Sequence, residues 1–162
     1  MRTFTVFLSS LTLLAALGGC SSDSKTAYNN LDSPYQELSK QQLLGRWTVI
    51  NYWASWCKPC LAEMPELNRF HQQISSANTP LAQIFAVNFD DLSADALRIE
   101  SQKLAVNIPL VVNDPSTTLG FDKPTMLPTT LIFNPQGQLQ HTLVGPQTLQ
   151  SLNQKIGLTG QP

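Results

Sequence analysis

Two cysteines separated by two residues, in Trp56-Cys57-Lys58-Pro59-Cys60, have the type and spacing to carry a reaction. A thiolate is both nucleophile and leaving group. A close pair can therefore attack a disulfide, hold the other molecule as a mixed disulfide and release it by closing on itself. The attacking sulfur must be ionised near neutral pH, although a free cysteine titrates at about 8.5. The amino end of a helix meets that need, because unpaired amides and the helix dipole stabilise negative charge there. CxxC pairs so placed titrate at roughly 3.5–7.5. Cys57 is the expected nucleophile, and Cys60, one turn along, the expected resolving thiol.

Other uses of the pair fit less well. A closed zinc site wants four ligands, the only other thiol is Cys20, and His71 and His141 are isolated in the sequence. A purely structural bridge over so short a loop would constrain the unfolded chain little. A peroxidatic cysteine would want a threonine three residues before it, where this chain has Ala54.

The surrounding residues must place the pair at a strand-to-helix junction. Trp47–Trp53 is rich in β-branched and aromatic residues and reads as a buried central strand. Leu61, Met64, Leu67, Phe70 and Ile74 recur at helical spacing, which predicts a helix over about 57–74. Pro59 suits its first turn, whereas Pro65 should kink it. A short element over 35–44 should lead to a turn at Gly45. Leu81–Phe89 reads as a second strand. A helix capped by Asp91 or Ser93 follows to about Ala105, with Leu92, Ala96, Ile99 and Leu104 inward. Val106–Val112 predicts a short strand, and 117–121 a brief helical turn. Asn134-Pro135-Gln136-Gly137 is a turn signal, so 131–133 and 138–144 should form an antiparallel hairpin. A closing helix is expected over 147–156, with Leu149, Leu152 and Ile156 inward and Gly157 ending it.

From Asn51 through Tyr52-Trp53-Ala54-Ser55-Trp56 to Cys60, and on to Glu63 and Pro65, the chain resembles membrane-anchored thioredoxin-like thiol:disulfide oxidoreductases of the TlpA/ResA type. The likeness continues through Ala86-Val87-Asn88, Leu127-Pro128-Thr129-Thr130 and Asn134-Pro135-Gln136-Gly137, over about residues 38–157. It implies an α/β, three-layer thioredoxin-like fold: a mixed central sheet flanked by helices, with the pair at the carboxyl end of a central strand. The second strand and its helix match the extra insertion of that group. The resemblance also implies that Pro128 is the cis-proline beside the dithiol. The Leu127 backbone could then pair with an extended client, and Trp56, Lys58 and Pro59 would complete the substrate-binding surface. Glu63 is implied in proton transfer. Thioredoxin has a buried aspartate six residues before its first catalytic cysteine, where this chain has Asn51, which cannot titrate. Glu63 is then the nearest acid–base group for Cys60, and the task requires its pKa raised toward neutrality.

On this reading the redox group is the Cys57–Cys60 disulfide itself, with no organic cofactor and no metal. Lys58 favours the thiolate and pushes toward the oxidising, DsbA-like end of the range. The resemblance argues for a protein-disulfide reductase, fed by a membrane electron donor of the thiol-transfer type and serving clients such as apocytochromes. The alternatives are a disulfide oxidant and a non-catalytic copper-delivery protein, since soft thiolates suit Cu(I). Copper-delivery relatives resemble a CxxxC with a dedicated histidine, which is not evident here.

Residues 1–19 read as a lipoprotein signal peptide: Arg2 is followed by a mostly apolar run ending Leu17-Gly18-Gly19-Cys20, which resembles the bacterial lipobox. Lipid on Cys20 would leave the CxxC pair as the free thiols and hold the protein at a membrane, facing the periplasm or its equivalent. Each buried methylene contributes about 0.8 kcal/mol. Ser21 goes with outer-membrane sorting if the cell is Gram-negative. Residues 20–33 read as a flexible tether, 34–158 as the domain and 159–162 as a tail. The net charge of −1, with no basic stripe, gives no reason to expect a nucleic-acid partner, and a monomer is expected.

Overall fold

The computed structural model describes residues 35–158 apart from residue 79; the expected signal peptide, Cys20, the expected tether and the expected tail lie outside the described residues. In chain order the elements are β1 (Tyr35–Gln36), a 3-10 turn (Lys40–Leu43), β2 (Trp47–Trp53), α1 (Lys58–Ser75), β3 (Ala82–Asn88), α2 (Ala94–Lys103), β4 (Leu110–Val111), α3 (Ser116–Leu119), β5 (Thr129–Phe133), β6 (Leu139–Val144) and α4 (Leu149–Lys155). They build one six-stranded sheet in the order β1-β4-β3-β2-β5-β6. Strands β1, β4, β3 and β2 run parallel, and β5 and β6 pair antiparallel to their neighbours. The expected mixed sheet and α/β fold are present.

Alternation along the strands sorts side chains to two faces. Val49 and Trp53 of β2, Ala82, Ile84 and Ala86 of β3 and Ile132 of β5 join a core with Met64, Leu67 and Phe70 of α1, Leu97 of α2 and Leu152 of α4. Both cysteines belong to this core. Ile50, Tyr52, Phe85, Val87, Leu131 and Phe133 point the other way, onto Leu38, Leu43 and Leu119. The three layers follow from this division. Strand β2 lies between β3 and β5, with six of its seven residues buried, so its carboxyl end is held from both sides.

Pro65 lies inside α1, which runs on to Ser75. Two local expectations need correction. Ile99 is exposed; the inward residues of α2 are Leu97 and Ser101, four apart on one face, with Leu104 partly buried against the core. Residues 106–112 supply only the two-residue strand Leu110–Val111. Pro109 just before it has no amide to donate, though its carbonyl accepts from Ala86 at 2.9 Å. Val106 and Ile108 still enter the core. The expected hairpin forms as β5–β6, and α4 starts at Leu149 because Thr148 caps it, accepting from the Ser151 amide.

Candidate active site

Strand β2 ends at Trp53, and the Cys57 amide donates to the Ala54 carbonyl at 3.1 Å, which turns the chain into α1. Cys57 is the N-cap of α1, in extended conformation, and its Sγ accepts the Cys60 amide at 3.2 Å. That is the site where a hydroxyl or carboxylate cap normally sits, so a thiolate there receives both an amide and the helix dipole. The two sulfurs are bonded to each other, with Cα atoms 5.3 Å apart. Cys57 retains 4% of its surface and Cys60 none. An incoming sulfur therefore meets Cys57 first. Pro59 occupies the first turn, where no intrahelical amide is needed, and Lys58 and Pro59 are exposed around the disulfide.

Glu63 is 2% exposed, an unusual place for a glutamate. One carboxylate oxygen accepts Asn51 Nδ2 at 2.8 Å, and the other accepts the Gln147 amide at 2.7 Å. Asn51 also donates to Thr130 Oγ1 at 3.1 Å, across the β2–β5 pair in which the two residues are register partners. Burial disfavours the charge more than these donors stabilise it, so the Glu63 pKa is pushed up to about 6. Glu63 follows Cys60 by three positions on α1, the spacing that stacks side chains on one helix face. The site thus holds a buried carboxyl with its pKa raised to about 6, one helical turn from the buried Cys60. Glu66, one turn on, accepts the Leu149 amide at 3.1 Å, so the amino end of α4 rests on two glutamates of α1.

The Leu127–Pro128 bond is cis, as the resemblance implied. Pro128 is buried, and Leu127 is half-buried against the core that contains both cysteines. On the other flank Trp56 is 62% exposed. Its indole Nε1 donates to the Asp90 carboxylate at 2.9 Å, and its ring meets Phe89 edge-on with centroids 6.3 Å apart. Phe89 follows β3 directly and donates its amide to the Trp53 carbonyl at 2.8 Å, which brings this loop to the dithiol.

The family model for the AhpC/TSA family matches residues 23–142. The chain belongs to the AhpC/TSA family. Within it the chain is similar to the thiol-disulfide oxidoreductase ResA of Bacillus subtilis, 26% identical over 127 residues that span 78% of this chain and 69% of that protein. It is also similar to the thiol:disulfide interchange protein DsbE of Pseudomonas aeruginosa, 29% identical over 117 residues, or 72% of this chain and 61% of that one. The fold matches a secreted thiol-disulfide isomerase from Corynebacterium glutamicum with a TM-score of 0.61 at 21% identity, covering 72% and 71% of the two chains. The protein is thus a thioredoxin-like thiol:disulfide oxidoreductase carrying a Cys57–Cys60 pair.

As a member of this family it keeps Ala54 where the peroxidatic pattern wants threonine, and that residue is fully buried. Among the described residues no three His, Cys, Asp or Glu side chains converge on a metal position, and no helix is long and apolar enough to cross a membrane. The structure brings Cys57, Cys60, Glu63 and Asn51 together at the base of α1, with Trp56, Lys58 and Pro59 on the surface above. Sequence reasoning missed the Gln147 amide, Thr130, Glu66 and Asp90. For Asp90 a signal existed, since it follows the buried run of β3 whose end must lie beside that of β2.

Proposed function

We propose that the protein is a lipid-anchored, extracytoplasmic reductant of protein disulfides. The single observation that carries the chemistry is the seat of Cys57 Sγ on the helix cap with the Cys60 amide donating to it. In the reduced protein the Cys57 thiolate attacks one sulfur of a client disulfide, and the other client sulfur leaves as a thiolate. Glu63 takes the Cys60 proton. The Cys60 thiolate then attacks Cys57 Sγ, closing the 57–60 disulfide and expelling the second client thiolate. Two electrons pass to the client, and both of its thiolates are protonated. A dithiol donor at the membrane restores the reduced pair by the same exchange run the other way.

Trp56, Lys58 and Pro59 form the exposed surface that receives the client, an extended disulfide-bearing segment such as that of an apocytochrome, with half-buried Leu127 and buried Pro128 shaping the groove. Leu17-Gly18-Gly19-Cys20 supports anchoring, and the likeness to the TlpA/ResA type supports the reducing direction. Replacing Cys60 with Ala tests the exchange: clients are expected to remain covalently attached through Cys57, and an absence of adducts on the folded, anchored protein refutes the mechanism. Equilibration of the unsubstituted dithiol with glutathione tests direction. A potential above about −150 mV would make the protein an oxidant.

A further inference from the structure

Lys123 lies outside the dithiol helix, in the segment that leads from α3 to Leu127-Pro128. Its ammonium donates to the Phe89 carbonyl at 3.1 Å and to the Asp91 carboxylate at 3.0 Å. It stands 3.3 Å from Asp114 Oδ2 and 4.9 Å from the centroid of the Phe89 ring. Asp114 is itself fixed by the Tyr52 hydroxyl at 3.0 Å and the Ser116 amide at 2.8 Å. One cation therefore joins the ends of β3, β4 and β2 to the approach to β5. Burial works against its charge, but the two carboxylates outweigh that, and its pKa is raised. Asp91 has φ of +50°, a conformation that costs a residue with a Cβ and persists where surrounding contacts impose it.

The tie matters because of what its partners hold. Phe89 packs on the Trp56 ring and Asp90 holds the Trp56 indole, so the loop clamped by Lys123 sets the orientation of the exposed aromatic beside Cys57. Four residues after Lys123 the same segment supplies Leu127 and Pro128. We propose that Lys123 is a positioning residue of the exchange reaction, fixing Trp56 and the Leu127-Pro128 segment in one relation so that a client segment can engage both. This rests on the reading of those residues as the client surface, and it makes Lys123 matter for polypeptide disulfides rather than for the sulfur chemistry itself. Small misplacements of binding groups lower reaction rates steeply when geometry is the contribution.

The test compares reduction of insulin, a polypeptide disulfide, with reduction of glutathione disulfide, in the unsubstituted protein and in Lys123→Met and Lys123→Arg. Methionine keeps an apolar stem over Phe89 and removes the charge; arginine keeps the charge and the donors. Lys123→Met is expected to slow insulin reduction about tenfold, with glutathione disulfide reduction changed less than about twofold and Lys123→Arg restoring most of the loss. Equal slowing with both disulfides, no slowing with insulin, or no rescue by arginine overturns the proposal. Should Lys123→Met fail to fold, Asp91→Asn removes the charge of an exposed partner of the tie and must show the same difference between the two disulfides. If the unsubstituted protein reduces neither disulfide, the function proposed for the dithiol fails, an outcome separate from any change confined to the variants.

Discussion

Glu63→Gln removes the buried carboxyl one helical turn from Cys60 and keeps the shape of the side chain. The carboxyl pKa is raised from 4.5 to about 6, with burial the larger cause and the Gln147 and Asn51 donors opposing it. At about 1.4 kcal/mol per pKa unit, the folded state prefers the protonated acid by about 2 kcal/mol relative to the unfolded chain. Because the folded pKa is the higher one, this contribution is fully present below about pH 4.5. It is lost as pH rises through about 6. Urea denaturation of the oxidised protein, in which neither active-site cysteine titrates, should be measured from about pH 4 to about pH 8 for both proteins. The stability of the unsubstituted protein relative to Glu63→Gln should fall by about 2 kcal/mol across that range, with other titrating groups cancelling in the difference. A difference independent of pH, or one that grows in favour of the glutamate as pH rises, would refute the reasoning. In the reduced protein, the closure step should lose its inflection near pH 6 in the variant, because glutamine cannot accept the Cys60 proton.

Asn51→Asp would put a second carboxylate where an amide now donates to Glu63 at 2.8 Å. Denaturation should show a loss of about 3 kcal/mol at pH 7, the scale of an uncompensated buried charge, recovered in part as acid protonates the pair. Phe70→Ala deletes a fully buried ring on α1. It should cost about 3–5 kcal/mol in denaturation while leaving the glutathione equilibrium of the dithiol unchanged.

How far the site could be read in advance depended on which atoms build it. The dithiol and its helix were legible because spacing along one helix determines which side chains share a face, whereas Glu63 stood out only through the resemblance to the TlpA/ResA type. Asn51 stood out for filling the position of an acid without being one, and the structure places it directly on Glu63. The other ligand of that carboxylate is the backbone amide of Gln147, and any residue except proline offers an amide, so no sequence signal marks it. Lys123 has no motif either; its role comes from the meeting of three strand ends that are remote in sequence. Within α2, Ile99 was misplaced because a short helix with few apolar residues allows more than one inward face. Just before β4, Pro109 stands inside the stretch that residue types alone made a longer strand.

The amide of Gln147 on Glu63, and that of Leu149 on Glu66, make the last helix a component of the reactive centre. A fragment trimmed back to the β5–β6 hairpin would retain both cysteines and the cis-proline. It would nevertheless strip Glu63 of one of its two donors and open the pocket that raises its pKa. A minimal version of the enzyme must therefore keep the chain through Leu158, which packs on the same core, and a fusion or tag belongs beyond that residue.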